Sequence, residues 1–199
     1  MKTLDRQEAV LVGLLHCIGR KVVRTKFVKM TYLLDDLHYQ QTGQSMTSFT
    51  YHWDRYGPNA VGNAIVDKLT NLSKRGAVLE SQALTPFETY ANYYQCADIN
   101  AADLPLDEID WVYIRGIAKR YGPMSRQQVV SESKKTLPMQ GISQFEVLNF
   151  KSNPNDDKLK GSFLGDADFV AMTKEAMSLT QGDIDIEDLR LEVAKSARA

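Results

Sequence analysis

The run from Phe49 through Tyr56-Gly57-Pro58 to Gly76 constrains this 199-residue chain more than any other stretch. Met46, Phe49, Tyr51 and Trp53 alternate with polar residues. Such alternation sends neighbouring side chains to opposite faces and fits a short extended piece or an ordered loop. Pro58 has no N–H to lose and a φ already near the helical value, so it is expected in the first turn of a helix. Val61, Ile65, Leu69 and Leu72 then recur at helical steps, and Gly76 supplies the stop.

The flanking sequence is dominated by helical periodicity. Val10, Leu11, Leu14, Leu15 and Ile18 predict a helix over 5–18, ended by Gly19. Phe27, Met30, Leu33, Leu34 and Leu37 predict a second, from Thr25 to about Gln41 and closed by Gly43. Ala77–Glu80 and Tyr90–Cys96 are spaced to pair as a small hairpin around Thr85-Pro86. After a loop over 99–106, Trp111, Ile114 and Ile117 mark a helix from Asp107 to Gly122. Ser125-x-x-Gln128 is a capping box opening another, which Leu137-Pro138 ends. Residues 140–165 read as a long polar loop, and two amphipathic helices follow over 166–179 and 185–195. The expected fold class is therefore mainly α: a compact helical domain over 1–139 with a small β-hairpin or short strands, the loop at 140–165, and a C-terminal helical extension over 166–199.

Composition allows a real core. Hydrophobic residues make up 43% of the chain and aromatics 9%, and a chain of this length closes about two-thirds of its unfolded surface. The net charge of −1 argues against wholesale phosphate neutralisation. Local asymmetry exists: Arg20, Lys21, Arg24, Lys26 and Lys29 form a run without an acid, and Lys119, Arg120, Arg126, Lys134 and Lys135 form a second cluster. Each reads either as a binding face or as an ordinary solvated surface. Cys17 and Cys96 are the only cysteines and lack metal or redox spacing, which suits a reducing compartment. No signal peptide and no membrane-length apolar run is evident, so the expected location is cytoplasmic, with no membrane partner.

Candidate chemistry is sparse. Asp35 and His38, three residues apart on one helix, could share a face, but no third ligand stands at metal spacing. His16 and Cys17 are neighbours that point about 100° apart on a helix. Phosphate-cradling glycine loops, nucleophile elbows and metalloprotease motifs are missing. The reading is therefore non-enzymatic, with no catalytic residue, no cofactor and no metal. Phe49, Tyr51, Trp53 and Tyr56 fit either a core cluster or a binding hot spot. The order helix, helix, hairpin also admits a winged helix. Arg55, Lys68, Lys74 and Arg75 against Asp54 and Asp67 are a thin basic surface for a recognition helix, so nucleic acid is not the expected partner.

Taken in order, Lys29-Met30-Thr31-Tyr32-Leu33-Leu34-Asp35, Gly43, Phe49, Trp53, Tyr56-Gly57-Pro58 and Leu69-x-x-Leu72-x-x-x-Gly76 resemble the Panacea, or SocA-like, antitoxin domain. Tyr121-Gly122-Pro123-Met124-Ser125 with Val129 and Val130 looks like that family's second portion, and the resemblance spans about 4–139. It implies a bacterial or phage-associated antitoxin that neutralises a co-encoded toxin by direct binding, in one branch as an adaptor to a protease. The expected partners are thus a cognate toxin protein, a protease or chaperone, and a second copy of the chain. Ile186, Leu189 and Val193 on the last helix are spaced to lie in a partner's groove, or to pack on the chain's own domain or on a second copy. With Tyr51, Trp53, Arg55 and Tyr56 they are the candidate partner-binding residues. The alternative function is a winged-helix-like DNA-binding regulator.

Overall fold

The computed structural model describes residues 3–84, 89–140 and 142–150. Helix α1 (Arg6–Ile18) starts at a reciprocal capping box in which Asp5 Oδ1 accepts from Glu8 N at 2.8 Å and Glu8 Oε2 from Asp5 N at 3.0 Å. Its residues Ala9–Leu15 are buried on every side, as befits a helix apolar all round. Arg6 reaches from α1 to the buried carboxylate of Asp110 through two hydrogen bonds of 2.7 and 3.0 Å. Such a fork fixes orientation as well as distance. Strand β1 (Val22–Val23) leads into α2 (Arg24–Thr42), which Gly43 ends in the left-handed conformation.

Strands β2 (Tyr51–Asp54) and β3 (Gly57–Ala60) form a tight antiparallel ribbon, followed by α3 (Ala64–Lys74). Strands β4 (Val78–Leu84) and β5 (Tyr90–Cys96) pair along their full lengths, and β5 also pairs with β1. Helices α4 (Glu108–Tyr121) and α5 (Arg126–Lys134) each begin with a capping box, on Asp107 and Ser125 respectively. The strand order β1-β5-β4, entered through α1, β1, α2 and α3, is the connectivity of a winged helix with the β2–β3 ribbon inserted before its third helix. One apolar core joins Leu4 to Leu148, with Phe27, Tyr32, Tyr51 and Tyr94 among its largest members.

Two expectations are corrected. The chain is not mainly α: the described residues are 52% helical and 17% strand, in two antiparallel sheets, an α/β mix. The excess strand comes from pairings that periodicity does not show, a two-residue β1 and a seven-residue β4 carrying Glu80, Ser81 and Gln82. Pro58 does not start a helix. It lies in β3 opposite Trp53, whose N–H and C=O turn the other way, to Glu146 O at 2.9 Å and Phe145 N at 2.6 Å. The missing proline N–H therefore costs the ribbon no bond. Gly62 and Asn63, both at left-handed angles, delay the helix to Ala64. The described part of the expected loop over 140–165 lies along β2, where Leu148 N donates to Tyr51 O at 2.8 Å; residues 141 and 151–165 fall outside the described residues.

Candidate functional site

The β2–β3 ribbon has an inner face built on a buried carboxylate. Asp35, on α2, accepts from Thr47 N at 2.7 Å, from the Thr47 hydroxyl, and from the Tyr51 hydroxyl at 2.6 Å. Burial pushes the Asp35 carboxyl up to about 6 against the opposing pull of these hydrogen bonds. The Tyr51 phenol is itself pushed well up by burial and by the carboxylate beside it. Tyr51 meets Tyr32 edge to face at 5.2 Å between centroids, and Phe150 stacks on both Tyr32 and Tyr39. The Tyr32 hydroxyl is bonded to Thr136 at 2.6 Å, joining this cluster to the end of α5.

The outer face is different in kind. His52, Asn59 and Val147 share it by register, with Val147 59% exposed. At the turn end Tyr56 is 56% exposed with the Arg55 guanidinium 5.6 Å from its ring centre, and Phe145 is 70% exposed. Phe145 takes a left-handed φ of 73°, unusual for an aromatic residue, while its N–H is fixed to Trp53 O. A rigid inner face thus holds apolar side chains out in water on the β2–β3 ribbon and the segment bridged to it at Val147.

The predicted residues separate accordingly. Tyr51 is wholly buried and Trp53 packs half-buried against the core, so both support the ribbon from behind. Arg55 and Tyr56 lie on the exposed turn. Ile186, Leu189 and Val193 fall outside the described residues. Phe145 and Val147 were missed; the signal for them was the apolar run Phe145-Glu-Val-Leu-Asn-Phe150 inside a segment otherwise read as loop.

Other candidates come apart. Asp35 faces Thr47 and Tyr51, whereas the His38 Nδ1 lies 2.6 Å from Gln44 O, so the two form no acid–base pair. The first basic run divides: Lys29 Nζ is buried against Pro58 O at 2.6 Å and the buried Lys26 donates to Gly122 O together with the exposed Arg20, while Lys21 and Arg24 stay exposed. On α3, Lys68 pairs with Asp5 and Arg75 with Glu8 at 2.7 Å, both carboxylates of α1's capping box. Among the described residues, no group of three or more His, Cys, Asp or Glu is placed to hold a metal, and no helix is long and apolar enough to cross a membrane. Compared with known proteins, the chain matches no protein family, no curated relative and no solved structure.

Proposed function

We propose that the chain is an antitoxin-like protein-binding module that works in the cytoplasm and neutralises a co-encoded toxin by direct contact, with delivery of that toxin to a protease as an extension of the same role. The observation that carries this reading is the set of exposed apolar side chains, Tyr56, Phe145 and Val147, held on a ribbon whose inner face is locked by Asp35. Aromatic residues fixed in place before binding lose little entropy on contact and are enriched at interface hot spots. The resemblance to the Panacea domain points to the same class of partner.

Co-expression with the product of the adjacent gene, followed by co-purification, tests it. Tyr56→Asp and Phe145→Asp should each lower recovery of the partner at least tenfold and abolish growth rescue, with the thermal midpoint unchanged because both positions are exposed. Equal recovery by both variants removes the ribbon from the interface. The second reading, a DNA-binding regulator, draws on the winged-helix connectivity. The engagement of Lys68 and Arg75 by α1 speaks against it.

A further inference from the structure

A groove of about 260 Å³ lies between α2, α4 and α5, lined on its apolar side by Leu33, Leu37, Ile117 and Leu137. Asp36 also lines it and is only 5% exposed. Its Oδ2 accepts from Gln40 Nε2 at 2.9 Å, while Oδ1 is buried with no hydrogen-bond partner. A buried carboxylate oxygen without a donor is costly and unusual, and a cation beside the carboxylate offsets that cost. The cations lining the same groove are occupied. Lys135 is paired with Glu132 at 2.6 Å, and the Arg120 guanidinium lies 5.4 Å from the centre of the Tyr121 ring.

We propose that this groove binds an alkylammonium or alkylguanidinium group, whose charge pairs with the Asp36 carboxylate while its aliphatic stem lies along Leu33, Leu37, Ile117 and Leu137. The volume is below that of a drug-sized pocket and suits one short cationic chain. The same chemistry is carried by a free small amine and by a lysine or arginine side chain of a protein. The site is separate from the ribbon and does not depend on the antitoxin reading.

Burial pushes the Asp36 carboxyl up to about 7, with the neighbouring Asp35 carboxylate adding to the rise. Tyr32 and Tyr121 sense the same charge, and Arg120, Glu132 and Lys135 complete the ionisable groups of the groove. Only the carboxylate form attracts a cation. Affinity should therefore fall about tenfold between pH 8 and pH 6, as Asp36 takes up its proton.

Amide chemical-shift titration of the full chain with n-butylammonium, n-butylguanidinium and doubly capped lysine tests the site, with n-pentanol as the uncharged control. Saturable shifts in α2, α4 and α5 at pH 8, weakened about tenfold at pH 6 and at least tenfold by Asp36→Asn, are expected. Binding of the free cations alone assigns a small amine; binding of capped lysine as well assigns a protein side chain. No saturable shift from any cation, equal shifts from n-pentanol, or equal affinity at both pH values overturns the proposal, and the pH comparison needs no variant to fold.

Discussion

Gly57 carries a φ of 91°, and a Cβ there would stand 3.3 Å from both Ser133 Oγ and Lys134 Cγ. The angle strains any side chain and the space is tight, so Gly57→Ala should cost about 1–3 kcal/mol, read as a lower midpoint in urea. Asp35 makes a sharper case. Asp35→Ala strands the Tyr51 hydroxyl and two Thr47 donors in the core, and a loss of about 2–4 kcal/mol is expected in the same assay. Asp36 predicts the opposite sign. Its folded carboxyl lies near 7 against an unperturbed 3.8, so the folded state holds the extra proton and stability falls as pH rises from about 4 to 7. Asp36→Asn removes that fall: thermal midpoints of the two proteins should diverge steadily through this window, with the variant the more stable at pH 8. Sequence placed Asp35 on a helix beside His38 but could not say which way the carboxylate turned. That depended on Thr47, twelve residues on, which no helical spacing reports.

At the scale of elements, what was legible is what local chemistry fixes. The capping box at Ser125 and the stops at Gly19 and Gly43 put helix ends within a residue or so of expectation, because these signals act on the chain's own backbone. Pro58 was misplaced because a proline tolerates either a helix start or an unpaired strand position, and the choice was made by distant residues. One of these is Lys29, whose buried ammonium donates to Pro58 O at 2.6 Å and, more weakly, to Gly57 O. One member of a basic run whose Arg20, Lys21 and Arg24 lie on the surface thus fastens α2 to β3. Burial depresses the Lys29 ammonium to about 8 from 10.5, so the folded state binds fewer protons between those values and stability rises with pH across them. Lys29→Met should lose that rise. It should also leave the Pro58 carbonyl without its donor, and amide exchange over 51–60 should quicken about tenfold or more.

For the whole molecule, the strand order β1-β5-β4 invites the idea that α3 reads DNA, and the distribution of charge on α3 speaks against it. A helix that binds duplex must present several cations to phosphates, each adding about 0.9 to the slope of log affinity against log salt. On α3 and at its end, Lys68 and Arg75 pair with Asp5 and Glu8, leaving Lys74 and the acidic Asp67 both exposed on the outer surface. Gel shifts of the native chain with random duplex should show no retardation at 100 mM salt at micromolar protein. The restraint is built from two carboxylates that also cap α1, so it can be removed. Asp5→Ser keeps a capping hydroxyl, and Glu8→Gln keeps the reciprocal partner while discharging it. The double variant should fold with a loss of about 1 kcal/mol and free two cations, raising low-salt affinity and steepening the salt slope by about 2. Tight, steeply salt-dependent binding by the unaltered chain would instead mean that α3 already meets phosphate, and the regulator reading would replace the protein-binding one.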